Sequence, residues 1–313
     1  MILVLPALAR PLIEPQLPAD AEVRWFGTAD EAYAMAPGAE IGWLDMQVPA
    51  HTGRAIALGT SLRWVTTIYA GLDAFPLQQL KARGARLTNG VGINATAVAE
   101  YAVMGMLALA KRLPDIVRAQ DSGEWLRDAP GKVELEGARA LIIGMGAIGR
   151  RIGRMLTGFG VEVTGVRRVP SDEPDMLGPD QWRGRIREFD WVILATPATA
   201  ETARLIGAAE LAAMKRTAFL VNIARGTVID QDALVAALAA GEIAGAHLDV
   251  TDPEPLPAGH PLWQAPNALV TMHLSGRAQT HMFPRAAQLF LDNLARYRAG
   301  ERLVNEVDLD LGY

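Results

Sequence analysis

The residues best suited to chemistry form two groups: a glycine-spaced turn able to cradle phosphates, and three ionisable side chains able to grip a carboxylate and move a proton. The apolar run Ala140-Leu-Ile-Ile143 leads into Gly144-Met-Gly146-Ala147-Ile148-Gly149, and a segment rich in Ile, Met and Leu follows. In a strand-turn-helix setting this spacing is the dinucleotide fingerprint. Gly144 allows the tight turn, Gly146 the approach of backbone to pyrophosphate, and Gly149 the close packing of helix on strand, with the phosphates at the helix N-terminus. Further on, Asn222-Ile-Ala-Arg225-Gly, Asp249-Val-Thr-Asp-Pro-Glu254-Pro and Thr271-Met-His273 each follow an apolar run. An arginine grips a carboxylate through paired charge-assisted hydrogen bonds, so Arg225 is the candidate carboxylate clamp. A histidine gives a proton to a carbonyl oxygen as hydride arrives, while a carboxylate on its other nitrogen holds the ring, roles that suit His273 and Glu254. Taken singly, Arg225 also reads as a solvated loop cation and Glu254 as a turn carboxylate. Their joint order along the chain favours chemistry.

These groups need a scaffold that brings strand ends together. From residue 139 onward the pattern predicts strands over 140–143, 162–166, 191–195, 218–222, 246–249 and 269–272, with helices between most of them. Such a rhythm builds an α/β domain on a doubly wound parallel sheet (Rossmann), whose ligand lies beyond the carboxyl ends of the strands. An earlier rhythm has strands over 2–6, 23–26, 41–44 and 64–69 and helical stretches over 30–35 and 76–83, which predicts a second, flavodoxin-like α/β domain. Helical apolar spacing over 279–297 lets the chain end return to that domain. The expected division is 1–93 with 279–313, and 94–278.

Bulk properties narrow the partners. The chain has 313 residues, half of them hydrophobic, with a net charge of -5 and no long run of one sign, which argues against a nucleic-acid surface or a polybasic membrane patch. It contains no cysteine, which removes disulfides, thiolate metal sites and cysteine nucleophiles; no metal is called for. The opening residues 1–5 lack a basic flank and meet Pro6, reading as a buried strand rather than a signal peptide. Residues 95–110 carry Glu100 and Tyr101 and end at Lys111-Arg112, which makes them a buried helix rather than a membrane span. A cytoplasmic small-molecule enzyme is expected.

The ordered set of motifs resembles the D-isomer-specific 2-hydroxyacid dehydrogenases, including glyoxylate and hydroxypyruvate reductases, over nearly the whole chain. It comprises 94–101, Gly144 to Gly149, Pro197-Ala-Thr-Ala-Glu-Thr202, the Arg225 segment, 249–255 and the His273 turn. The resemblance implies that Arg225 binds and polarises a small 2-oxo acid, that Glu254 pairs with His273, and that His273 is the acid for reduction and the base for oxidation. It implies that the discontinuous domain binds substrate and the central one the dinucleotide. It places Ala70 and Gly71, within Ile68-Tyr-Ala-Gly71-Leu-Asp73, as backbone anchors for the substrate carboxylate, and Pro197, Thr202, Ile223, Ala224 and Asp249 along the cofactor. It also implies a homodimer built on the helix from Ala95. Trp43 and Met46, after another strand of the first domain, either wall the substrate side chain or belong to the core. His51, His247, His260 and His281 have no comparable place in the pattern, although His281 follows the catalytic turn.

An NAD-specific fold carries an acidic side chain about twenty residues beyond the glycines, on the ribose 2'-hydroxyl. Here Gly165-Val-Arg167-Arg168 stands instead, and Asp172 and Glu173 come too late to replace the acid. Two guanidinium groups attract a 2'-phosphate, so NADP(H) is the expected preference, with NAD(H) as the second choice and a solvated arginine pair as the alternative account. The rival function is a dinucleotide-sensing, corepressor-like binding protein on the same fold. A phosphite or formate dehydrogenase is a minor enzyme reading.

Overall fold

Two parallel sheets organise the chain, and the computed structural model describes residues 1–168, 175–277 and 280–312. The chain divides into one unit of Met1–Asn94 with Gln279–Tyr313 and another of Ala95–Ala278. Asp172, Glu173 and Gln279 lie outside the described residues.

In the first unit, β1 (Ile2–Pro6), β2 (Glu22–Phe26), β3 (Ile41–Trp43), β4 (Trp64–Thr66) and β5 (Arg86–Thr88) form a sheet in the order β2-β1-β3-β4-β5. All neighbours are parallel, and the order is the flavodoxin-like one. Because successive side chains of a strand point to opposite faces, Leu3 and Leu5 enter one core layer and Val4 the other. The first layer is closed by the helix Met282–Ala299 through Ala286, Ala287, Phe290 and Leu294. Trp64 stacks on Phe290 with ring centroids 5.5 Å apart. Burying large aromatic rings supplies much of the energy that holds this returning helix.

In the second unit, β6 (Arg139–Ile143), β7 (Glu162–Val166), β8 (Met176–Leu177), β9 (Trp191–Leu194), β10 (Phe219–Asn222), β11 (Gly245–Leu248) and β12 (Ala268–Val270) form a sheet in the order β12-β11-β10-β9-β6-β7-β8. The strand order reverses between β6 and β9, where a doubly wound sheet opens a crevice at its carboxyl edge. β6, β9 and β10 are almost wholly buried, as expected of parallel strands covered on both faces. The buried helix Ala95–Ala110 packs in this unit's core through Val98, Ala102 and Met106. Among the described residues no helix is long and apolar enough to cross a membrane.

The strand pattern requires two additions and two corrections. β5 and β8, of three and two residues, escape sequence reading because a run that short shows no alternation. The strands expected over 64–69 and 269–272 stop at Thr66 and Val270. The residues beyond them leave the sheets and make the turns described next.

Candidate active site

The glycine turn follows from local sterics. The chain leaves β6 at Gly144 with φ 107°, a conformation that favours glycine. A Cβ there would lie 2.5 Å from the Ala195 carbonyl, and one on Gly149 would lie 2.0 Å from the Gly144 oxygen. Gly146 sits at the N-cap of the helix Ala147–Gly158 without a side-chain cap, and nothing lies within 4 Å of where its Cβ would be. The first helical turn, with Ala147 and Ile148, has N–H groups without intrahelical partners and the positive end of the helix dipole. This open glycine cradle fits a pyrophosphate. Gly144 N–H donates to the Val166 oxygen at 3.1 Å, and Ile143 pairs in register with Val166. Arg167 and Arg168 therefore leave the sheet beside the glycine turn.

At the end of β10, the buried Asn222 shapes the next loop. Its Nδ2 donates to the Arg225 oxygen at 2.9 Å, and its Oδ1 accepts the Ala224 N–H at 3.0 Å. Ile223 and Ala224 are buried, while Arg225 is half-buried and donates from Nη1 to the Ala224 oxygen at 2.8 Å. A Cβ on Gly226 would lie 2.0 Å from the Thr251 carbonyl. The glycine after Arg225 thus lets the loop from β11 cross close by.

That crossing loop carries Glu254. Thr251 N–H donates to Glu254 Oε1 at 3.0 Å, and Glu254 Oε2 lies 2.7 Å from His273 Nδ1. Burial alone would raise the Glu254 carboxyl. Hydrogen bonds from His273 and Thr251, with the charges of His273 and Arg225, outweigh it and hold the group below its ordinary value. A carboxylate only accepts, so His273 Nδ1 is the donor to Glu254 and Nε2 lies outside that pair. Both partners are partly exposed, at 44% for His273 and 37% for Glu254, so a ligand can reach the ring.

His273 is presented by a left-handed turn. Met272 and His273 have φ of 53° and 56°, an unfavourable conformation for non-glycine residues that surrounding bonds must enforce. Asp249, 1% exposed, supplies them. Its backbone oxygen accepts the His273 N–H at 2.5 Å, and its Oδ1 accepts from Thr271 Oγ1 at 2.7 Å and Leu274 N–H at 3.1 Å. Asp249 accordingly organises the turn that aims His273. Because Thr271 spends its hydroxyl hydrogen on Asp249, the buried His247, 3.1 Å away through Nε2, is the donor to Thr271 Oγ1. Burial pushes His247 down to about 4 against the opposing charge of Asp249.

Other candidates take varied places. Thr202 Oγ1 donates to the Pro197 oxygen at 2.7 Å and accepts Thr199 N–H at 2.8 Å, closing the loop after β9. Trp43 is 1% exposed and packs with Leu3, Trp64 and Phe290, which places it in the core. Met46 is half-buried against the opposite core layer. His51 contacts Tyr33 on the surface, His260 caps the short helix Pro261–Gln264, and His281 stands at the N-cap of the final helix. Ala70 is exposed and Gly71 half-buried after β4. Gln231, absent from the sequence reading, donates to the Asp252 oxygen at 2.7 Å and accepts Asp252 N–H at 3.0 Å, bracing the Glu254 loop. No local pattern marks it, since its partner lies 21 positions away.

Comparison with known proteins identifies relatives of the whole chain. A family model described as D-isomer specific 2-hydroxyacid dehydrogenase, NAD binding domain, matches residues 103–275. The chain is 33% identical over 260 residues to the mouse glyoxylate reductase/hydroxypyruvate reductase, covering 81% of this chain and 79% of that protein. It is 34% identical over 255 residues to a glyoxylate reductase of Korarchaeum cryptofilum, covering 78% and 76%. Among solved structures, an NADPH-dependent glyoxylate/hydroxypyruvate reductase of Sinorhizobium meliloti in complex with NADP and malonate superposes with TM-score 0.78 at 26% identity, covering 99% of this chain and 97% of that one.

Proposed function

The chain belongs to the D-isomer specific 2-hydroxyacid dehydrogenase family, and from that premise we propose that it is an NADPH-dependent reductase of small 2-oxo acids of the glyoxylate and hydroxypyruvate kind. The product is the D-2-hydroxy acid where a stereocentre results. The observation that carries the reading is the 2.7 Å contact of His273 Nδ1 with Glu254 Oε2, on loops that leave the same sheet edge as Arg225.

The Ala95–Ala278 unit holds the dinucleotide through Gly144, Gly146, Ala147, Ile148 and Gly149, with Pro197, Thr202, Ile223, Ala224 and Asp249 along its length. The bound reduced nicotinamide supplies the hydride. Arg225 binds the substrate carboxylate and, by its charge, polarises the adjoining carbonyl. His273 donates its Nε2 proton to the carbonyl oxygen, and Glu254 stabilises the protonated ring before transfer and keeps Nδ1 protonated after it. The sum is 2-oxo acid, NADPH and a proton giving 2-hydroxy acid and NADP. The other unit binds substrate, with Ala70 and Gly71 offering backbone N–H groups to the carboxylate.

Cofactor choice rests on Arg167 and Arg168 at the end of β7. Following absorbance of the reduced cofactors with glyoxylate, hydroxypyruvate, pyruvate and phenylpyruvate tests both reaction and preference: selective oxidation of NADPH is expected. Arg167→Asp with Arg168→Ala should reverse that preference, by on the order of 10²-fold in the NADPH/NADH ratio of kcat/KM, because a phosphate loses two charge-assisted contacts and meets a carboxylate. An unchanged ratio would mean the arginines do not read the phosphate. Protein that binds a dinucleotide yet oxidises neither cofactor would favour the sensing role.

A homodimer is part of the proposal. An apolar groove is lined by Val103, Met104, Leu107, Leu113, Met155 and Phe159, of which Met104, Leu113 and Phe159 are exposed, and it is the candidate contact surface. Met104→Glu with Leu113→Glu should give a monomer in sedimentation experiments where the unaltered chain gives a dimer. A monomeric unaltered chain would refute the dimer. The proposed location is the cytoplasm.

A further inference from the structure

We infer that Asp45 is a positioning residue for substrate binding, an acceptor that fixes the backbone leading to Ala70 and Gly71. The inference rests on the reading that Ala70 and Gly71 receive the substrate carboxylate.

Trp43 at the end of β3 pairs in register with Thr66 at the end of β4. Residues 45 and 67–68 consequently emerge side by side from the carboxyl edge of the sheet. Asp45 turns its carboxylate across the gap: Oδ1 accepts from Thr67 Oγ1 at 2.6 Å, and Oδ2 accepts from Ile68 N–H at 2.6 Å and from Trp43 Nε1 at 2.9 Å. Thr67 Oγ1 passes the constraint on by accepting Tyr69 N–H at 3.1 Å, and Tyr69 Oη donates to the Met46 oxygen at 2.5 Å. The opposite side is held by residues after β5. Gly90 N–H donates to the Tyr69 oxygen at 2.9 Å, and Asn89 Nδ2 to the Ala70 oxygen at 3.3 Å. A Cβ on Gly90 would lie 2.0 Å from the Ile68 oxygen, so this flank closes directly on the segment. Residues 68–70 are clamped from both sides just before Gly71.

The chemistry of the clamp is costly, which separates it from ordinary packing. Three neutral donors, rather than a cation, hold the carboxylate, and burial pushes it up to about 6 against the hydrogen bonds that favour its charge. An ionised carboxyl only accepts, so all three donors are committed to one direction. Trp43 anchors the arrangement, because its ring is fixed in the core. The result is a pre-set backbone whose N–H groups need no ordering when a carboxylate arrives.

The test compares Asp45→Ala and Asp45→Asn with the unaltered enzyme by steady-state kinetics with glyoxylate, NADPH binding by fluorescence, and hydrogen exchange of the amides at 68–72. Asp45→Ala should raise KM for glyoxylate by on the order of tenfold, with kcat much less changed, NADPH binding unchanged and the amides exchanging faster. Asp45→Asn, whose oxygen can still accept both N–H donors, should recover most of the loss. Native KM and native exchange in Asp45→Ala would overturn the inference, as would a parallel loss of NADPH binding, which would indicate general damage. If Asp45→Ala does not fold, Thr67→Val, which removes the hydroxyl link to Tyr69, should raise KM in the same selective way, and native kinetics there would count against the clamp. If the unaltered protein reduces no 2-oxo acid, the proposed reaction falls, and the exchange comparison alone decides whether Asp45 holds the segment.

Discussion

His273→Ala is expected to lower kcat for 2-oxo acid reduction by about 10²–10⁴-fold, the usual contribution of a positioned general acid, while NADPH binding stays near its native value. The magnitude follows from the separation of tasks in the second unit. The glycine cradle lies after β6, whereas His273 lies after β12 on a turn fixed by Asp249, so removing the imidazole leaves the phosphate-binding backbone untouched. The alanine variant loses a proton donor at Nε2 that water in the site replaces poorly. Glu254→Gln should lower kcat less than His273→Ala does, because it retains an acceptor for Nδ1 but not the negative charge beside the ring. Pre-steady-state and steady-state rates with saturating NADPH check both variants. Full turnover in His273→Ala would remove it as the proton donor.

Arg225→Ala should lower kcat/KM by about 10²–10³-fold for every carboxylate substrate, corresponding to the roughly 2–5 kcal/mol lost when one partner of a buried charge pair is truncated. Part of the loss should appear in KM, because the carboxylate is bound in ground and transition states alike. Another part should appear in kcat, because the guanidinium charge also acts on the carbonyl oxygen as negative charge develops there. Arg225→Lys restores charge without the planar fork and should recover only a fraction. A second consequence concerns Glu254, whose carboxyl is held down partly by the Arg225 charge; it should move upward in Arg225→Ala, narrowing the acid range over which residual activity persists. Isothermal titration with a non-reacting dicarboxylate such as malonate in the presence of NADP isolates the binding component. Equal affinity in variant and unaltered enzyme would assign the carboxylate to other groups.

Much of this site was visible before any fold was known. The glycine turn, the polar residues after successive strands and the Arg167-Arg168 pair are each local statements. A glycine at a tight turn, an apolar run of four or five residues and a charge at its end depend on neighbours within a few positions. The strand rhythm was legible for the same reason, and it failed where runs were too short to show a period, at β5 and β8. It also overran at 64–69 and 269–272, because residues such as Ile68 and Met272 are apolar but serve turns rather than the sheet.

The sequence by itself determined the types of the acting groups, their order and the sheet edge at which they stand, since periodicity and backbone sterics are short-range properties. Only the tertiary structure decided which atoms meet. That Glu254 meets His273 at Nδ1 rather than Nε2 depends on a contact across 19 positions; that Asp249 shapes the His273 turn depends on bonds across 25 and 26; that Asp45 holds Ile68 depends on one across 23. Hydrogen bonds of that span are set by how strands align and loops cross, and a carboxylate in the chain looks the same whether it acts on a substrate, aims a histidine or fixes a backbone.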